Sequence, residues 1–141
     1  LLVYCVGHVG YLAHYGVWMA VFLVASVALC DLLAFLLSSR NRSPLKSILF
    51  QALVPAPLLV GLGLALGPWS LIPPVHSVVL GFLIPLLVAI ACFTVDHLEA
   101  DLGIDRSRLA PGRGEVLNTL KSHLYAAPVV FHYLRYFTDI F

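Results

Sequence analysis

The sequence predicts an all-α fold: a polytopic transmembrane helical bundle with about four to five spans of the length a bilayer demands. Three observations predict it. Hydrophobic residues make up 61% of the 141 residues and charged residues 11%, against about 45–50% and about 25% in an ordinary soluble domain. The apolar residues fall in runs long enough to cross a bilayer. No stretch alternates apolar and polar residues as a β-barrel strand does. The same composition excludes a disordered tail, which lacks apolar residues. A net charge of +1 leaves no basic face for nucleic acid.

Taken in order, residues 1–12 read as a truncated span, with His8, His14 and Tyr15 marking the turn after it. Residues 16–37 read as one transmembrane helix carrying a single charge, Asp31, near its end. The first polar break, 38–47, holds Arg40, Arg42 and Lys46. The next apolar run, 49–66, is interrupted by Pro55 and Pro57. Prolines kink such helices, and neighbours re-satisfy the freed carbonyls. Gly67-Pro68-Trp69-Ser70 predicts a tight turn, with Trp69 suited to the membrane interface. Beyond Pro73 and Pro74, residues 75–93 return across the membrane with Pro85 inside the run. A long polar stretch occupies 96–122, and the aromatic, apolar segment 120–141 is about long enough to span at ~1.5 Å per residue.

The chain opens at Leu1 in the middle of apolar sequence, with no charged n-region and no A-x-A site, so a signal peptide is not supported. Residues 1–141 therefore read as a single transmembrane domain, the C-terminal part of a larger protein. Cys5, Cys30 and Cys92 have no metal-ligand spacing and read as free thiols packed as small apolar residues.

Seven of the eight Lys and Arg residues fall in the two polar stretches, 38–47 and 96–122. Two helices separate these stretches, which puts both on one side, and the positive-inside rule makes that side cytoplasmic. The expected location is an integral protein of the cytoplasmic (inner) membrane. Arg135, in the last helix, must snorkel, pair with Asp139 or line a polar cavity.

In so apolar a chain, charge in or beside the membrane is where chemistry is expected. Asp31 is a carboxylate that must face protein, water or a cation; alternatively it reaches the headgroup zone. Asp96, Glu99, Asp101 and Asp105 cluster where a helix leaves the membrane. Magnesium needs only one or two carboxylates plus substrate phosphates, although such clusters are more often solvated helix ends. Pro111-Gly112-Arg113-Gly114 offers backbone free to approach a ligand and an arginine that can meet phosphate oxygens, or a simple turn. Ser43-Pro44-Leu45-Lys46-Ser47 places hydroxyls and a lysine at a helix start that can hold an anion. No His pair has zinc spacing, and no nucleophile-elbow or Walker sequence is present.

The C-terminal residues resemble the end of the phosphatidate cytidylyltransferases, the integral membrane enzymes that make CDP-diacylglycerol. Asp101-Leu102-Gly103-Ile104-Asp105, Pro111-Gly112-Arg113-Gly114-Glu115-Val116-Leu117-Asn118, Ser122 and Ala126-Ala127-Pro128-Val129-Val130-Phe131-His132 follow that family's pattern. The pattern runs K-D, P-G-H-G-G, D-R-x-D-S and A-A-P-x-F-F. Upstream, Cys30-Asp31-Leu32-Leu33-Ala34-Phe35 is similar to its N-D-V-x-A-Y, and Ser43-Pro44-Leu45-Lys46-Ser47 to its S-P-x-K-T. Ile104 stands where the family has lysine, Arg113 where it has histidine, and Glu115 where it has glycine. Asn118, Thr119 and Lys121 stand where D, R and the second D belong, and Ser122 is kept.

What the resemblance implies is transfer of a cytidylyl group from CTP to a phosphatidate-type lipid with Mg2+. Asp105, Asp31 and Lys121 would carry catalysis. Ser43, Lys46, Arg113 and Ser122 would bind substrate. Asp105, Asp101 and Asn118 would hold the metal, with Asn118 a neutral ligand and Lys121 supplying positive charge near the phosphates. The alternative is a non-catalytic member binding an anionic lipid or nucleotide headgroup at the cytoplasmic face. A homodimer is left open.

Overall fold

The computed structural model describes residues 2–36, 44–103 and 113–138, without the side chains of 2, 5, 6, 44, 45, 47 and 113–119. The helices are α1 (Leu2–Tyr15), α2 (Val17–Leu36), α3 (Pro44–Leu53), α4 (Ala56–Ser70), α5 (Pro74–Asp101) and α6 (Arg113–Phe137). No strand occurs among the described residues. Val17–Leu36, Ile48–Ser70 and Pro74–Asp101 are long and apolar enough to cross a membrane.

The second of these segments joins most of α3 to α4 across Val54 and Pro55. Pro55 cannot donate to the preceding turn, so the helix breaks there, as the sequence predicts. Both pieces pack along α5, which also contacts α2 and α6 and is the central helix. Its 28 residues reach about 42 Å at 1.5 Å per residue. Pro74 opens it at the position where a missing N–H costs nothing.

Helices approach through small residues. A Cβ on Gly81 would collide with Val60, whose backbone nitrogen would lie 2.9 Å away. A Cβ on Gly63 would lie 2.9 Å from Ser77 Cβ and 3.3 Å from Phe22. Ser77, Gly81, Ala89 and Ala91 face inward on α5, whereas Val75, Val79, Phe82, Leu86 and Ile90 are exposed. On α2, Val17, Val21, Val24, Leu32 and Phe35 form a second exposed apolar stripe. Small residues inside and large apolar ones outside are what a bundle facing lipid uses. The interior gathers Leu12, Phe22, Leu23, Val27, Leu80, Ile84, Val130 and Leu134 into one cluster.

Two turns fall elsewhere than the sequence predicts. Gly67–Ser70 is helical, with Pro68 inside α4. So near the helix end, its missing N–H removes only one intrahelical bond. The chain leaves α4 at Leu71, a left-handed residue with φ 59° and ψ 9°, and Ile72 N–H donates to Ser70 Oγ at 3.5 Å. His8 does not mark a turn: it is buried inside α1, and the break before α2 is Gly16 alone. At the other end of α5, Gly103 takes φ 64°, a conformation glycine adopts without Cβ strain, and its N–H donates to Ala100 O at 3.2 Å.

Candidate functional site

Asp31 lies on α2, five residues before the helix ends, and is half-buried. Ser122 lies on α6 and is fully buried. The Ser122 hydroxyl donates to Asp31 Oδ1 at 2.7 Å. The second carboxylate oxygen, Oδ2, is buried and accepts no hydrogen bond among the described residues. A buried carboxylate oxygen without a donor is costly. Oδ2 is also a hard oxygen of the kind magnesium takes.

One residue earlier on α6, Lys121 Nζ donates to Asp96 Oδ1 at 3.1 Å. The lysine side chain is 7% exposed and the aspartate side chain 57%. Consecutive helical residues project about 100° apart, so Lys121 and Ser122 reach different neighbours: Asp96 on α5 and Asp31 on α2. These two polar links tie α2, α5 and α6 together at one end of the bundle. The same end carries the helix termini flanking the polar stretches 38–47 and 96–122.

The structure thus brings together three side chains singled out or clustered in the sequence, Asp31, Lys121 and Ser122, and adds Asp96. Lys46 is exposed on α3, and Asp101 is exposed at the end of α5. Ser43 and Asp105 lie outside the described residues. Arg113 and Asn118 are on the first turns of α6, with their side chains outside the description. Among the described residues, no three His, Cys, Asp or Glu side chains converge on one point. Among the described residues, the buried carboxylate oxygen without a hydrogen-bond partner is Asp31 Oδ2.

Sequence reasoning missed the role of Asp96. It stands out only as one acid of four in its cluster, and its partner is 25 residues away across a polar stretch. Lys121, read as positive charge near the phosphates, has a carboxylate beside it.

The opposite end of the bundle is aromatic. The Trp18 and Trp69 rings lie 6.1 Å apart, and the His76 imidazole is hydrogen bonded to the Tyr133 hydroxyl at 2.9 Å. Trp and Tyr at this level match a membrane–water interface.

No protein-family model, no curated protein and no solved structure matches the chain.

Proposed function

We propose that the chain is a cytidylyltransferase-like membrane protein acting on a phosphatidate-type lipid. The observation that carries this reading is the hydrogen bond between Asp31 and Ser122, which are 91 residues apart. They belong to two separate segments that resemble the cytidylyltransferase pattern, and an active site assembled from both segments requires them to be neighbours.

In this reading, a phosphate oxygen of the lipid attacks the α-phosphorus of CTP. The new P–O bond forms as the bond to the β-phosphate bridge breaks, and pyrophosphate leaves. Magnesium, when bound, neutralises charge on the phosphates. Asp31 Oδ2 would supply one oxygen to it, and Asp105, Asp101 and Asn118 are the further candidates. Ser122 holds the Asp31 carboxylate in place. Lys121 sits one residue from Ser122, where its charge is shared between Asp96 and an incoming phosphate. Ser43, Lys46 and Arg113 complete the phosphate contacts. The polar end faces the cytoplasm of an inner membrane, where CTP is found, and α1 and α6 add to the three long apolar helices as a fourth and fifth span.

The test is CTP- and magnesium-dependent formation of CDP-diacylglycerol by the purified full chain in phosphatidate-containing detergent micelles. Ser122→Ala is expected to raise the magnesium concentration for half-maximal rate about ten- to a hundredfold, the effect of losing a group that orients a metal ligand. No product from folded protein overturns the transferase reading. If phosphatidate binding is retained in that case, the chain is a headgroup binder.

A further inference from the structure

A cavity of about 660 Å³ lies between α1 and α6. Its wall on α6 includes His132 and Arg135. These are ten and thirteen residues beyond Ser122, about 15–20 Å along the helix at 1.5 Å per residue. The cavity is therefore separate from the Asp31–Ser122 end.

The α1 wall carries Tyr4, His8, Tyr11 and Tyr15. Their spacing of four, three and four residues puts them on one face of a helix. In a chain this apolar, that face concentrates side chains able to donate hydrogen bonds. His8 is buried, and its Nδ1–H donates to Tyr4 O at 2.7 Å. Its ring stands 4.3 Å from the Tyr4 ring and 5.4 Å from the His132 ring. His132 Nδ1 is buried without a partner among the described residues. That nitrogen has no surface open to the cavity, but the His132 ring lines it, so a ligand there meets an imidazole.

The chemistry of the wall selects the sign of that ligand. Among the described residues, phenol hydroxyls, imidazoles and one guanidinium line it, and no carboxylate or thiol does. The arginine's fixed positive charge disfavours a metal cation. A guanidinium fork beside imidazole and phenol donors matches the oxygens of a phosphate. The rings around them form a wall on which the apolar part of a ligand can lie. Tyr4, Tyr11 and Tyr15 are also exposed.

We propose that this cavity is a second binding site, for a phosphate-bearing anion held by Arg135 and His132 against the tyrosine face of α1. The phosphate can come from a lipid headgroup or from a soluble ion, and the two sources are separable.

The test uses the full chain in phosphatidylcholine nanodiscs. One arm titrates phosphatidylglycerol into the discs, and the other adds inorganic phosphate to the buffer. Binding is read from the thermal unfolding midpoint and from the imidazole 15N shifts of His132. Saturable binding in the first arm alone assigns a lipid headgroup, and in the second arm a soluble phosphate; either supports the site. Arg135→Gln is expected to weaken binding about tenfold or more, the loss of a charge-assisted contact. Tyr11→Phe gives a smaller loss. Arg135 is exposed, so the variant keeps the core intact. Gly61→Ala, on α4 with nothing within 4 Å of the added Cβ, is expected to leave binding unchanged. Absence of binding in both arms overturns the proposal. So does equal binding by wild type and Arg135→Gln, or loss of binding in Gly61→Ala.

Discussion

Ser122 and Asp31 form a pair whose two members carry unequal risk. Removing the hydroxyl leaves a half-buried carboxylate with no donor among the described residues. Ser122→Ala is therefore expected to destabilise the chain by about 1–3 kcal/mol, the penalty of an unsatisfied buried polar group. Asp31→Asn keeps an oxygen that accepts the same bond and removes the charge, and is expected to stay within about 1 kcal/mol of wild type. Denaturant titration in a fixed detergent checks both; equal stability of wild type and Ser122→Ala would show that the bond contributes nothing. Lys121 differs in kind. Its stem is buried but its partner Asp96 is more than half exposed, so water and salt weaken the ion pair. The location of Asp31, a turn and a half before the end of α2, was legible from the sequence, because a lone acid in an apolar run stands out. Its partner was not. Nothing in sequence spacing says that residue 122 reaches residue 31, and only the resemblance placed both in one pattern.

At the scale of elements, the crossing of α4 and α5 rests on a close approach that one methyl group would spoil. The Cβ of Gly81→Ala meets the backbone nitrogen of Val60 at 2.9 Å as well as its side chain. Backbone cannot swing aside as a flexible side chain can, so the helices must separate. The expected cost is about 1–3 kcal/mol, the range for overpacking, measured by the same titration. Gly61, with nothing within 4 Å of its Cβ position, is the control: Gly61→Ala is expected to be neutral or stabilising through helix propensity. The turn after α4 carries the opposite opportunity. Leu71 holds φ 59°, which costs a residue with a Cβ about 1–2 kcal/mol. Leu71→Gly relieves that strain and gives back part of it as unfolded-chain entropy. A net gain of up to about 1 kcal/mol is expected, and a loss would mean that the Leu71 side chain contributes more than its backbone costs. This turn also shows where reading by residue type fails. Gly67-Pro68 looks like punctuation, yet at the last turn of a helix a proline forfeits too little to stop it. The chain turns instead three residues later, ahead of Pro73 and Pro74. Pro55 was read correctly as a break, yet a mid-run proline does not by itself end a helix: α5 runs on through Pro85 and α6 through Pro128.

For the whole molecule, the decisive quantity is which ends share a side of the membrane. Asp31, Asp96, Lys121 and Ser122 meet at one end, and Trp18, Trp69, His76 and Tyr133 meet at the other. The charge asymmetry in the sequence leads to the same division, since seven of eight basic residues flank the first end. Two independent physical causes therefore agree: the cost of moving lysine and arginine across the bilayer, and the packing that brings the helix ends together. The arrangement predicts sidedness that labelling can read. In a background with the three native cysteines replaced, single cysteines are placed at Lys46, Asp101, Trp69 and Pro73, all exposed positions. A membrane-impermeant maleimide added to sealed inside-out vesicles is expected to label positions 46 and 101 and spare 69 and 73. Right-side-out vesicles are expected to give the reverse. Labelling of 46 and 101 from opposite sides would break the bundle topology itself. Labelling of both from the outer side would keep the topology and reverse the orientation, and would remove the access to cytoplasmic CTP that the proposed function requires.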